Sequence, residues 1–407
     1  MIEIHKIKTI SGLRQDLTLE SQQNFIIDAE DLMLLPALID PHVHFRTPGL
    51  EYKEDWCTAA KASIAGGYTT VFDMPNTIPP TITAELLQEK NNIIKRQLQE
   101  IDIPLRYQLF FGADKEHLDE IYRVRNSIIG IKVFMGCSTG NMVIDDDSSL
   151  HAVFAIAAKL NLIVAVHAED EHLIKERKKQ FSGKHDYQIH SQIRNHEVAV
   201  RAVEKAIHIA KIYQAKLYIL HTSTADEIQL IKKAKQENLP VFAETTPHHL
   251  FLNQTAYQEL GGKAVMNPPL RIEADQAALF EAIQNNVIDT IGSDHAPHTP
   301  DEKAKPYGEC PSGVPGIETT LPLLLHAHHQ GMLSLEKIVQ LTSMRAREIF
   351  NLPKNEDFVL VDLNKEKIVD NTKLHTKCSW SPFHGMKLKG WPVYTILNQR
   401  IFDLEMM

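Results

Sequence analysis

Short runs of apolar and β-branched residues alternate along this chain with longer segments in which apolar residues return every three or four positions. The short runs predict strands over residues 38–45, 68–74, 106–112, 130–135, 162–167, 216–221, 241–245 and 288–293. The longer segments predict helices over 84–99, 150–160, 198–213, 225–236 and 277–285. Strand–helix alternation repeated eight times over ~250 residues is the signature of an α/β fold closed into a parallel TIM-like (β/α)8 barrel. An open doubly wound sheet would give the same alternation, so pattern alone leaves both architectures standing. The ends differ: residues 1–35 and roughly 356–400 hold short alternating strands, among them 358–361 and 393–397, with few helical patterns, and are expected to pair into one small β-domain. The segment 298–316, rich in proline, glycine and charge, reads as a long ordered loop of the kind that carries function.

Composition narrows the class. The chain has 407 residues, 43% hydrophobic and 23% charged, which suits one large domain and a small one. A net charge of −9 without a basic block or basic-aromatic stripe argues against nucleic acid and membrane surfaces as main partners. The apolar run at 32–39 is too short to span a bilayer, so a cytoplasmic protein acting on small molecules is expected. Four dispersed cysteines, Cys57, Cys137, Cys310 and Cys378, form neither a disulfide framework nor a cysteine metal site.

Chemistry concentrates where the predicted strands end. His42, His44 and Arg46 alternate after Asp40-Pro41, and alternate positions of an extended strand share a face. Two imidazoles there can grip a metal, and the guanidinium beside them can hold a carboxylate or phosphate. A single His-x-His among 21 histidines is weak, but the other strand ends repeat the signal. Lys132 interrupts an apolar run, where an unpaired ammonium is costly. Its neutral amine can add carbon dioxide to give a carbamate, an anionic ligand able to bridge two metals. His167 and His221 close two further apolar strands, and Asp294 follows a third. A barrel carries its chemistry at the C-terminal ends of its strands, and an open sheet has no simple way to converge five of them, so the constellation favours the barrel. Four histidines, a carboxylate and a carbamate suit two borderline metals such as zinc, sharing a bridging hydroxide.

With these residues in view, the chain resembles the amidohydrolase superfamily, and within it the dihydroorotases with a carboxylated lysine. The resemblance rests on Asp40-Pro-His-Val-His-Phe-Arg-Thr-Pro-Gly49, Met74-Pro-Asn-Thr77, Lys132-Val-Phe-Met-Gly136, His167-Ala-Glu169, His221-Thr-Ser223, Met266-Asn-Pro-Pro-Leu-Arg271, Ser293-Asp-His-Ala-Pro-His298 and Gly313-Val-Pro-Gly-Ile-Glu-Thr319. It implies a hydrolase barrel over 38–354 and a β-sandwich from residues 1–37 and 355–407. It further implies two Zn2+ per subunit: His42, His44, Lys132 as N6-carboxylysine, and Asp294 on one, Lys132, His167 and His221 on the other. The implied reaction is the reversible cyclisation of N-carbamoyl-L-aspartate to L-dihydroorotate, a step of pyrimidine biosynthesis, with Asp294 carrying the proton.

The same resemblance places Arg46 and Asn76 on the substrate carboxylate, with Asn267, His298, Ser312 and Gly313 completing the pocket. Contact from Ser138 or Thr139 is a further expectation, and homodimer formation is a family expectation only. Two alternatives stand beside this reading. One is another cyclic amide hydrolase, a dihydropyrimidinase, hydantoinase or allantoinase, whose ring substrates lack the carboxylate that Arg46 would meet. The other is a catalytically silent scaffold serving a pyrimidine-pathway enzyme such as aspartate transcarbamoylase.

Overall fold

The computed structural model of the chain describes residues 1–136 and 142–407. Ser138 and Thr139 lie outside the described residues. Strands Leu38–Val43, Tyr68–Asp73, Arg106–Gly112, Gly130–Phe134, Ile163–His167, Lys216–Ile219, Val241–Thr245 and Thr290–Ile291 form an eight-stranded parallel sheet in chain order. The sheet closes on itself through a parallel bridge between Val43 and His295, where His44 N donates to His295 O at 2.8 Å. Closure of the ring decides for the barrel over the open sheet. The first two strands are buried at every position, as expected of parallel strands covered on both faces.

Helices Ala84–Glu100, Asp147–Leu160, His196–Tyr213, Ala225–Gln236 and Glu273–Gln284 pack around the sheet. Local chemistry starts them: Thr83, Asp146, Asn195 and Thr224 each accept a backbone N–H of the first turn, and Thr224 with Glu227 forms a reciprocal capping box. The helix expected from 277 begins four positions sooner, at Glu273. The strand expected over 288–293 pairs regularly only at Thr290–Ile291. On either side the ladder is replaced by other bonds, Ala243 N to the Asp289 carboxylate at 2.9 Å and Gly292 N to Thr245 O at 3.1 Å.

Strands from both ends of the chain share a second sheet, seven-stranded among the described residues. Met33–Pro36 pairs antiparallel with Phe358–Ile368, which pairs in turn with Lys387–Leu397. These last two are longer than the apolar pattern predicts, because the hairpin runs on through half-exposed and exposed positions such as Asn364 and Lys365, where polarity hides the strand. Among the described residues no helix is long and apolar enough to cross a membrane.

Candidate active site

The first strand is distorted where its histidines sit. Pro41 has no N–H to give to the ladder, and pairing with the second strand shifts register between Asp40 and Val43. The buried Asp40 carboxylate takes over, accepting His42 N at 3.1 Å and Ser293 N at 3.0 Å, which ties the first strand to the last. His42 and His44 emerge on one side, and their Nε2 atoms lie 3.3 and 3.1 Å from the same oxygen, Asp294 Oδ1. Each ring is oriented from behind. His42 Nδ1 meets Glu244 Oε1 at 2.8 Å and His44 Nδ1 meets Asn76 Oδ1 at 2.7 Å. With Nδ1–H donated backwards, both Nε2 lone pairs face a carboxylate oxygen, an arrangement that repels unless a cation lies among them. Burial pushes the imidazoles down to about 3 for His42 and about 4 for His44, so both are neutral, the form that binds metal. Asp294 is buried with them, and the three residues bring one ligand atom each within 4.8 Å of one another.

The second pair converges in the same manner. His167 Nε2 donates to Glu169 Oε2 at 2.8 Å, so its Nδ1 lone pair faces His221 Nε2 at 2.9 Å. Glu169 is held in turn by Arg194. Burial lowers both imidazoles below their ordinary value. In the same cavity stands Lys132, 1% exposed, its Nζ 4.5 Å from the Phe134 ring centroid and without a hydrogen-bond partner among the described residues. Burial lowers its amine to about 7. An orphaned, readily neutral amine in the same cavity as the four imidazoles and Asp294 fits a carbamate ligand, and the donor set of imidazoles and carboxylate fits zinc.

One cavity brings together His42, His44, Arg46, Asn76, Lys132, Phe134, His167, His221, Asn267, Asp294, Ala296, Ser312 and Gly313. Arg46 reaches it differently from the sequence expectation. The strand ends at Val43, and Arg46 turns into the left-handed region, at φ 62°, with its Nε donating to Pro297 O at 3.0 Å. His221 and Asp294 also have positive φ, 37° and 45°, a strain that ordinary core residues avoid and that clusters at functional sites. Asn76 stands behind His44 as well as on the cavity wall, and the Asn267 side-chain oxygen accepts from His190 Nε2 at 3.0 Å. His298 is fully buried and stands behind the wall, between Arg46 and the Ser312 carbonyl. The segment 298–316 is knotted down: Lys303 Nζ donates to Val265 O, Pro311 O and Gly313 O at 2.9, 2.8 and 3.0 Å.

Sequence reasoning missed Glu244, whose role depends on a contact 202 residues away in the chain. Its signal was the one that marked Lys132, a lone charge inside an apolar strand. Tyr218 OH donates to Glu244 Oε2 at 3.0 Å, and burial pushes the carboxyl up to about 8. Gly292 makes room for this packing: a Cβ there would fall 2.5 Å from the Glu244 carboxylate and 2.9 Å from His42 Cβ.

A closed parallel barrel whose strand ends bring imidazoles, a carboxylate and a buried lysine around one cavity defines a metal-dependent hydrolase. The chain belongs to the amidohydrolase family, whose profile matches residues 33–401. Among curated relatives it is 34% identical to a dihydroorotase of Methanosarcina acetivorans, over 95% of this chain and 85% of that one. It is 37% identical to a dihydroorotase of Halobacterium salinarum, over 88% and 84%. Among solved structures it is similar to the L-hydantoinase of Arthrobacter aurescens, with TM-score 0.91 and 25% identity over 98% of this chain and 95% of that one. It is also similar to the dihydropyrimidinase of Brevibacillus agri, with TM-score 0.86 and 26% identity over 98% and 94%. The chain is a hydrolase of cyclic amides.

Proposed function

We propose that the chain interconverts N-carbamoyl-L-aspartate and L-dihydroorotate. The observation that carries this is Arg46, a buried guanidinium on the cavity wall whose side-chain bonds go to the neutral groups Pro297 O and His298 Nε2, so that a neutral ring substrate would bring its charge no carboxylate to pair with. A carboxylate on the ring supplies that partner through a bidentate pair. The dihydroorotase relatives support the reading.

His42, His44, Asp294 and Lys132 as N6-carboxylysine would hold one zinc ion, and Lys132, His167 and His221 the other. The metals supply an activated water at neutral pH and polarise the scissile carbonyl. In ring opening, water adds to the ring amide carbon, the C–N bond breaks, and Asp294 moves the proton to the departing nitrogen. Arg46 and Asn76 fix the substrate by its carboxylate at a distance from the reacting bond, with Asn267, Ser312 and Gly313 closing the pocket.

The similarity to hydantoinases and a dihydropyrimidinase favours a second reading, hydrolysis of a neutral cyclic amide. Turnover of N-carbamoyl-L-aspartate, dihydroorotate, dihydrouracil and hydantoin by the zinc-loaded protein decides between them. The expected result is turnover of the first two, abolished by a chelator and reduced about 100-fold in kcat/KM by Arg46→Ala, the loss of a charged bidentate contact. Activity on the neutral rings alone, unaffected by Arg46→Ala, would establish the second reading.

A further inference from the structure

Behind Arg46 lies a group of charges that the reaction itself does not employ. Lys53 follows Arg46 in the same turn-rich loop, where Leu50 N donates to Arg46 O at 3.1 Å and Lys53 N donates to Leu50 O at 2.9 Å. Its side chain is 7% exposed. The ammonium lies 3.0 Å from His298 Nδ1 and 2.8 Å from Glu302 Oε1. Glu302 is fixed by its own capping box, accepting Thr299 N at 3.0 Å.

His298 is neutral, because burial pushes its imidazole down to about 3, with Arg46 adding to the effect. A neutral ring has one N–H to place and two nitrogens on which to place it. Nδ1 faces the Lys53 ammonium, which can only donate; the nearest acceptor, Glu302 Oε2, is 3.6 Å away, beyond hydrogen-bond range. Nε2 faces a donor and an acceptor, Arg46 Nη2 at 3.1 Å and Ser312 O at 3.0 Å. A proton on Nδ1 would satisfy Arg46, but it would set an N–H against an ammonium and leave the Ser312 carbonyl unmet. A proton on Nε2 satisfies Lys53 and Ser312 together and leaves the Arg46 Nη2 hydrogens uncommitted to His298.

Resting on the carboxylate reading of Arg46, we propose that Lys53 is a positioning residue that fixes His298 as the Nε2–H tautomer. His298 thereby anchors the Ser312–Gly313 wall and leaves Arg46 Nη2 for the substrate carboxylate. The wall has little freedom of its own. Gly313 sits at φ 137°, and a Cβ there would fall 2.5 Å from Ala296 O and 3.1 Å from His298 Cδ2. Without Lys53 the proton moves to Nδ1, Arg46 Nη2 is drawn onto Nε2, and the Ser312 carbonyl loses its donor. The cost falls on binding of the carboxylate, away from bond making and breaking.

Ring-15N histidine labelling of the zinc-loaded protein, with His298→Gln to assign the resonance, reads the tautomer directly. The expected result is an unprotonated Nδ1 in the wild type, exchange of the two nitrogen signatures in Lys53→Met, and restoration in Lys53→Arg. Kinetics give a second reading: KM for dihydroorotate rises about tenfold in Lys53→Met, the worth of one redirected hydrogen bond, while kcat stays within about twofold. Glu302→Gln keeps the cap on Thr299 but removes the charge that anchors Lys53, so it moves KM the same way if Lys53→Met does not fold. A protonated Nδ1 in the wild type, or an unchanged tautomer and KM in the folded variants, overturns the proposal. Should the wild type turn over neither carboxylate substrate, the proposed function falls while the tautomer measurement still decides the role of Lys53.

Discussion

At the scale of single residues, the site is a set of imidazoles whose lone pairs are aimed by partners behind them. Glu244 behind His42 and Glu169 behind His167 fix which ring nitrogen faces the cavity. Glu244→Ala removes the group 2.8 Å behind His42 Nδ1, so zinc affinity is expected to fall about 10–100-fold, read by competition with a chelator. Lys132→Arg keeps a cation of similar reach that cannot add carbon dioxide. The expected outcome is less than the full zinc complement by elemental analysis and a loss of kcat of at least about 10²-fold, the scale of one preorganised electrostatic group. The residues legible in the sequence were those with a local signature, a polar group closing an apolar run, as in His167, His221 and Lys132. Glu244 carried that signature too, but its partner lies 202 residues away and that of Lys53 lies 245 away, and no local pattern announces such a pairing.

At the scale of elements, strand ends need anchoring if they are to hold a metal geometry. The second strand ends at Asp73, where Oδ1 accepts Phe45 N at 2.8 Å, immediately after His44. Its other oxygen lies 2.6 Å from Lys90 Nζ, and Lys90, on helix Ala84–Glu100, also donates to Met74 O at 2.8 Å. Both side chains are fully buried, so Lys90→Ala would strand a carboxylate in the interior. The expected cost is about 3–5 kcal/mol, measured by denaturant titration of the variant against the wild type. Periodicity showed the helix carrying Lys90 to within a residue, over 84–99 against Ala84–Glu100. It could not show that one of its charged positions points inward, because an isolated lysine on an amphipathic helix looks like a solvent-facing one. Strand ends were less legible for a related reason. Around Asp40 and Asp289, side chains replace ladder bonds, and the apolar run carries on after the pairing has stopped.

At the scale of the whole molecule, the C-terminal part of the chain fastens the site loops from outside the barrel. Trp380 Nε1 donates to His298 O at 2.7 Å, and Lys377 N donates to Glu54 Oε1 at 3.2 Å, while Glu54 Oε2 lies 3.3 Å from His295 Nε2. The interior built in this way is rich in neutral histidine, and that has a thermodynamic consequence beyond the metal ligands. His190 is 5% exposed, its Nε2 within 2.9 Å of Met266 O and 3.0 Å of Asn267 Oδ1, and burial pushes it from 6.5 down to about 3. Between those two values the unfolded chain binds a proton that the folded one refuses, so stability falls as the solution is acidified through pH 6.5. The lost stability from this one group between pH 7 and pH 5 is about 2 kcal/mol. His190→Gln keeps an N–H donor for Met266 and Asn267 but cannot titrate. Chemical denaturation of both proteins at the two pH values is therefore expected to show the variant losing about 2 kcal/mol less than the wild type on acidification. Carboxyls that burial holds high, such as Glu244, contribute with the opposite sign and are common to both proteins, so they cancel in the difference. Equal losses in the two proteins would mean that the His190 imidazole is protonated as readily in the fold as outside it.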